Sequence, residues 1–174
     1  MITKAEDTDK KTLCVGIDVG SVSVKMALVD SSGDCVRDYY VRHKGHPIST
    51  VGRLLADLLR EIPLESIRAV AVTGSGGKLV ASIVGADFVN EIIAQARATA
   101  ALCPGARTII EMGGEDSKLI FMHGDPSTQA GIIEDFSMNT ICAAGTGSFL
   151  DQQASRMGLA IDGEFGEYAL KSRK

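Results

Sequence analysis

The sequence predicts an α/β fold: one lobe ordered β-β-β-α-β-α-β-α, followed by a second lobe of the same layout that stops short. Three observations predict it. Short runs that alternate apolar and polar residues, the period of a half-buried strand, give way to an apolar stripe at helical spacing and then to further short strands. Glycine-rich turns punctuate the strand ends. The layout of IDVGSVSVKMALVD also returns later in the chain as IIEMGGEDSKLIFM, again strand, glycine turn, strand.

Each element has its own warrant. Leu13-Cys14-Val15-Gly16-Ile17 is a short apolar run suited to a buried strand, and it runs into Asp18-Val19-Gly20-Ser21. Val22, Val24, Met26 and Leu28 alternate with Ser21, Ser23, Lys25 and Ala27 in a second strand. Asp30 to Asp34 (DSSGD) gathers turn-forming residue types, and Cys35 to His43 reads as a third strand, completing a meander. Ile48, Val51, Leu54, Leu55, Leu58, Leu59 and Ile62 recur at helical spacing as a core-facing stripe, with Pro63 as the stop.

Ile67 to Thr73 is a strand rich in β-branched residues that ends in Gly74-Ser75-Gly76-Gly77. A helix near Lys78–Val84, a strand near Asp87–Asn90 and an alanine-rich helix over Glu91–Leu102 follow, and Pro104-Gly105 closes the lobe. The order then restarts. Arg107–Met112 and Ser117–Met122 are strands, His123–Ser127 is a turn, and Ala130–Phe136 is a third strand. A helix near Ser148–Met157 carries Phe149, Leu150, Ala154 and Met157 on one side, before a charged helical segment over Asp162–Lys174. The expected domains are a flexible 1–12, a first lobe at 13–104 and a partial second lobe at 105–174.

Composition narrows the function classes. The chain has 174 residues, 45% hydrophobic and 23% charged, with a formal net charge of −4. That is a globular composition, and its sign argues against nucleic acid or an anionic membrane surface as partner. No apolar run approaches the roughly 18–20 residues of a membrane span, and the polar MITKAEDTDKKT start has no secretory apolar core. A cytoplasmic address is expected. Cys14, Cys35, Cys103 and Cys142 lie far apart, so neither a disulfide framework nor a local metal finger is expected. His43, His46 and His123 have no ligand spacing around them and are expected to be solvated.

Three stretches carry chemistry. In Asp18-Val19-Gly20-Ser21-Val22-Ser23-Val24-Lys25, turn N–H groups and serine hydroxyls can face phosphate oxygens, while the carboxylate reaches Mg2+ through water. Alone, the same residues are equally a hairpin turn with a surface lysine. Glu111-Met112-Gly113-Gly114-Glu115-Asp116-Ser117-Lys118 is a second acidic strand-turn-strand unit, so the two can serve one nucleotide, or be similar hairpins from an old duplication. Neither is a Walker A or Rossmann glycine loop. The third stretch is Asn139–Leu150 (NTICAAGTGSFL), where Cys142 precedes Ala144-Gly145-Thr146-Gly147 at a helix start. A helix N-terminus favours both a bound anion and a thiolate, so phosphate binding and redox or metal chemistry are both open there. Thr146 or Ser148 is the expected N-cap, Ser148 with Asp151 as capping partner.

The chain resembles the BadF/BadG/BcrA/BcrD ATPase family, activators of 2-hydroxyacyl-CoA dehydratases and their benzoyl-CoA reductase relatives, and most of all the large CoA-substrate-specific activases. The resemblance spans residues 13 to 174. It rests on IDVGSVSVK, TGSGG at Thr73–Gly77, NEIIAQARA at Asn90–Ala98, EMGGEDSKLI and CAAGTGSFLDQQA. It implies an acetate-kinase/sugar-kinase/Hsp70/actin-like (RNase H-like) fold with ATP between two lobes. It places Asp18, Gly20, Ser21, Ser23 and Lys25 at the first phosphate loop, and Gly113, Gly114, Glu115 and Asp116 at the second. Gly145, Thr146 and Gly147 fall at a nucleotide-facing turn. Asp18, Glu111 and Asp116 are the implied catalytic carboxylates, with Asp18 and Glu111 on Mg2+ through water.

By the same resemblance Cys142 is a ligand of a [4Fe-4S] cluster shared between the two subunits of a homodimer. ATP hydrolysis would drive a low-potential electron from it to a dehydratase or reductase partner, with ferredoxin or flavodoxin as donor. The family's second cluster cysteine is expected beyond residue 174. Where smaller activators usually have DIGGQD, this chain has Glu111 and Glu115. Two rival functions remain: a small-molecule kinase of the same fold, or an incomplete nucleotide-binding module without catalysis.

Overall fold

The computed structural model describes residues 13–124, 131–139 and 146–173. Two compact units divide the chain, Met1–Glu91 and Ile92–Lys174.

In the first unit, β1 (Leu13–Val19), β2 (Ser23–Val29) and β3 (Cys35–Arg42) form the expected meander. β4 (Ile67–Thr73) and β5 (Asp87–Phe88) add in parallel, giving the strand order β3-β2-β1-β4-β5 with β1 at the centre. β1 runs past Ile17 because the ladder to β2 continues through Asp18↔Lys25 and Val19↔Val24. α1 (Pro47–Glu61) begins with proline at its first turn, where the missing N–H costs nothing, and ends before Pro63. α2 (Gly77–Val84) is closed by Gly85 in the left-handed region.

Alternation puts Val15, Ile17 and Val19 of β1 with Val24, Met26 and Leu28 of β2 and Val72 of β4 on one face. Val51, Leu54 and Leu58 of α1 and Val80 and Ala81 of α2 complete that core. The α1 stripe is narrower than its apolar pattern: Ile48 and Leu59 are exposed, and Leu55 and Ile62 half-buried. Arg37 on β3 donates to Tyr39 Oη (3.3 Å) and to Glu61 of α1 (2.6 Å), which pushes its already high pKa further up, the Tyr39 hydrogen bond first.

In the second unit, α3 (Glu91–Leu102) precedes an antiparallel sheet of β6 (Thr108–Met112), β7 (Ser117–Gly124) and β8 (Gly131–Met138), ordered β6-β7-β8. β7 carries His123, expected in a turn, and β8 extends two residues past Phe136, because their registers pair Met122–Gly124 with Gly131–Ile133 and Lys118 with Met138. Ile109, Ile120 and Met122 pack against Ala96 of α3.

α4 (Gly147–Arg156) buries Ala154 but leaves Phe149, Leu150 and Met157 exposed. The charged end is not one helix. An irregular turn over Ile161–Phe165, with non-helical Asp162 and Gly163, precedes a single helical turn, α5 (Gly166–Leu170).

Two positions break the correspondence between the hairpins. Ile110 and Met112 occupy the places of Ile17 and Val19, yet are 75% and 63% exposed, whereas Ile17 and Val19 are buried. The opposite face of the second sheet is the one covered by α3.

Candidate functional site

The two glycine turns have the same construction. Asp18 and Lys25 are seven residues apart and face each other across β1 and β2; Glu111 and Lys118 do the same across β6 and β7. Lys25 Nζ lies 2.8 Å from Asp18 Oδ2, and Lys118 Nζ 3.0 Å from Glu111 Oε2. Each turn is closed by one backbone bond, Gly20 N–H to Ser23 O at 3.0 Å and Gly113 N–H to Asp116 O at 2.9 Å. A side chain at Gly113 would sit 3.1 Å from Asp116 Oδ1 and 3.2 Å from Glu111 Oε1, so a bare backbone is what brings those carboxylates against the turn.

The lysines differ. Lys25 is on the sheet face away from the core, with its side chain 46% exposed. Lys118 is on the core-side face with Ile109 and Ile120, 4% exposed, and also contacts Asp116 Oδ1 at 2.9 Å. A buried ammonium between two carboxylates offsets their repulsion, and their two charges oppose the cost of its desolvation.

Asp18 is held by the third glycine turn. Gly76 N–H donates to Val19 O (2.9 Å), and Gly74 lies at φ +90, packed so closely on Asp18 Oδ1 and Val19 O that a Cβ there would overlap both. Parallel pairing sets Thr73 beside Asp18. Asp18 Oδ1 and Thr73 Oγ1 are both enclosed without a hydrogen-bond partner among the described residues. These oxygens, on neighbouring strands and one of them a carboxylate, are of the kind an oxygen-preferring cation such as Mg2+ takes.

α4 is joined to the second turn. Gly147 N–H donates to Gly113 O (3.0 Å) and Ser148 N–H to Gly114 O (2.8 Å). Thr146 is the N-cap, but its hydroxyl does not cap. It is fully buried and donates to Gly114 O at 2.9 Å, so the Ser148–Asp151 pair expected at this start is not the cap.

Of the residues singled out in sequence, the described structure sets Asp18, Gly20, Ser21, Ser23 and Lys25 together at one turn. It sets Glu111, Gly113, Gly114, Glu115, Asp116, Thr146 and Gly147 together at the other. Cys142 and Gly145 lie outside the described residues. Cys14 is half-buried in β1, Cys35 and Cys103 are exposed, and all three are free thiols. Among the described residues no group of three or more His, Cys, Asp or Glu is placed to hold a metal ion.

Sequence patterns missed two residues. Lys118 carried a usable signal, since it repeats the spacing of Lys25 from its carboxylate. His43 did not. Expected to be solvated, it is 8% exposed, and its ring reaches Gly20 O (Nε2, 3.2 Å). The antiparallel pairing Ser23↔Arg42 brings the end of β3 alongside the β1–β2 turn, which no local pattern announces. His46 is exposed as expected, and so is His123, whose Nδ1 is 3.2 Å from Glu134.

Proteins of one family resemble this chain in sequence and in fold. The profile of the family described as BadF/BadG/BcrA/BcrD ATPase matches residues 15–173. The activator of lactoyl-CoA dehydratase of Anaerotignum propionicum is 35% identical over 151 residues, 85% of this chain and 55% of the relative. Among solved structures, component A of the (R)-2-hydroxyglutaryl-CoA dehydratase of Acidaminococcus fermentans is 29% identical with a TM-score of 0.79, covering 94% of this chain and 60% of that one. The activator of the 2-hydroxyisocaproyl-CoA dehydratase from Clostridium difficile, with bound ADPNP, is 28% identical with a TM-score of 0.78, over 94% and 58%. The chain thus spans little more than half the length of these relatives. The fold is the acetate-kinase/sugar-kinase/Hsp70/actin type. Among the described residues no helix is long and apolar enough to cross a membrane.

Proposed function

The chain belongs to the BadF/BadG/BcrA/BcrD ATPase family, and we propose that it is the N-terminal, phosphate-handling part of an ATP-dependent activator. The partner would be a 2-hydroxyacyl-CoA dehydratase or a benzoyl-CoA-reductase-type enzyme. The observation that carries this is the duplicated turn: two hairpins, each with a carboxylate and a lysine seven residues apart around one glycine-closed loop. Residues 13–104 and 105–174 would be the first lobe and part of the second.

Each side chain then has a task. Ser21 and Ser23, with the amides of the Gly20 turn, would hold phosphate oxygens of ATP or ADP, and the half-exposed Lys25 would neutralise them. Gly113, Gly114 and Glu115 would present the second turn, with Thr146 and Gly147 fixing it to α4. Gly145 would extend that turn. Asp18 and Glu111 would hold Mg2+ through water, Asp18 with the unsatisfied Oδ1 that fits such a role. Asp116 would orient the attacking water, its carboxylate set by Lys118. The metal would supply charge neutralisation on the transferred phosphoryl group.

The finer proposal concerns electrons. Cys142 would be one ligand of a [4Fe-4S] cluster shared by two copies of the intact protein, its thiolate favoured by a helix start. Such a homodimer would act in the cytoplasm, taking electrons from a donor such as ferredoxin or flavodoxin and passing them to the dehydratase or reductase.

Calorimetry of the 174-residue chain with ADP and magnesium tests the first part: binding is expected, and Asp18→Asn is expected to weaken it at least tenfold. The natural protein, purified without oxygen, is expected to carry iron that Cys142→Ser removes. No nucleotide binding in any preparation would sink the proposal.

A further inference from the structure

We infer that His43 is a positioning residue that aims the amide groups of the first phosphate turn, an assignment that rests on the nucleotide role proposed above. Its backbone and its ring grip that turn at two carbonyls. His43 N–H donates to Val22 O (3.1 Å), and ring Nε2 lies 3.2 Å from Gly20 O. On the other side of the ring, Gly45 N–H donates to Nδ1 at 3.1 Å.

These contacts fix the ring's protonation pattern. A backbone N–H pointing at Nδ1 requires a lone pair there, and a carbonyl oxygen can only accept. With Nδ1 accepting from Gly45, the ring N–H available to Gly20 O is the one on Nε2. At 8% exposure, His43 is largely shielded from water.

The consequence for the turn follows from peptide geometry. In a trans peptide the carbonyl and the following N–H point in opposite directions, and the described residues contain no cis bond. Drawing Gly20 O towards His43 turns Ser21 N–H away from it, and drawing Val22 O does the same for Ser23 N–H. Ser21 N–H has no acceptor among the described residues. It is left as an oriented, unused donor on the turn whose serines were singled out for phosphate. Among the described residues no other hydrogen bond holds Gly20 O in place.

Two substitutions separate this role from simple packing. In His43→Gln the longer amide can still donate to Gly20 O but leaves Gly45 N–H without an acceptor. In His43→Asn the short side chain can accept from Gly45 but cannot reach Gly20. Affinity for Mg-ADP, measured by calorimetry, is expected to stay within about threefold of the unsubstituted chain in His43→Gln and to fall about tenfold in His43→Asn, the size of one lost hydrogen bond.

Two readouts need no nucleotide. Ring nitrogen NMR of the unsubstituted chain is expected to show the Nε2–H tautomer. Amide exchange at Gly20, whose N–H closes the turn, is expected to quicken in His43→Asn and not in His43→Gln. Failure of the unsubstituted chain to bind Mg-ADP would count against the nucleotide role alone, and these two readouts would then decide the positioning. An Nδ1–H ring, or equal Gly20 exchange in both variants, would overturn it, as would unchanged affinity in His43→Asn.

Discussion

Replacing Lys118 by methionine removes an ammonium and keeps a side chain of similar length. In the folded protein it would leave Glu111 and Asp116 facing each other without the cation now 3.0 and 2.9 Å from them. Breaking a fully buried pair in this way costs about 3–5 kcal/mol. The Lys118 side chain is 4% exposed, but Glu111 and Asp116 are 24% and 39% exposed, so water restores part of their solvation. The expected loss is therefore smaller, about 2–3 kcal/mol, once that screening is allowed for.

Native-state hydrogen exchange reads this unit by unit. Amides of β6 and β7 that exchange through unfolding of their unit would exchange about 30- to 150-fold faster in Lys118→Met, with those of β1 and β2 unchanged. Glu111→Gln in the same chain should recover part of the loss, since one of the two unpaired charges is then gone. The matching change in the other hairpin, Lys25→Met, is expected to cost no more than about 0.5 kcal/mol, because that lysine already sits half in water. Equal effects of the two substitutions, or β6–β7 exchange within twofold of the unsubstituted chain in Lys118→Met, would refute the claim that burial separates the two lysines.

Gly74→Ala is expected to lower stability by about 2 kcal/mol or more in denaturant unfolding, since φ +90 disfavours a side chain and the Cβ would overlap Asp18 Oδ1 and Val19 O. Asp18 would shift with it, so nucleotide affinity should fall in the same variant. Thr146→Val keeps the shape but leaves Gly114 O without its buried hydroxyl donor; a loss of about 1–2 kcal/mol is expected, read as faster exchange of Gly147 and Ser148 amides. Leu58→Ala, at a fully buried position of α1, should cost about 2–5 kcal/mol in urea unfolding and leave the second unit's exchange unchanged.

What the chain announces by itself is whatever depends on neighbours in sequence. β1 is written as a short apolar run, β2 in period-two alternation, α1 in its apolar stripe between Pro47 and Pro63, and the two hairpin turns in glycines that follow an acidic strand end. The duplication is legible for the same reason: Asp18-to-Lys25 and Glu111-to-Lys118 are each one uninterrupted hairpin. Family membership rests on those hairpins together with TGSGG, NEIIAQARA and CAAGTGSFLDQQA, and the profile match over residues 15–173 bears it out.

What only the tertiary structure decided depends on partners far along the chain. Two hairpins of one construction bury opposite faces of their sheets, so Ile17 is core and Ile110 is exposed, Lys25 is half in water and Lys118 is enclosed. Spacing cannot contain that difference, because it is set by where α1, α2 and α3 pack. The same holds for Thr146, whose hydroxyl serves Gly114 rather than its own helix, and for His43, carried to the first turn by the pairing of β3 with β2. Local pattern determines which element forms; the element packed against it determines whether a given lysine, threonine or histidine meets solvent, a carboxylate or the backbone of a turn.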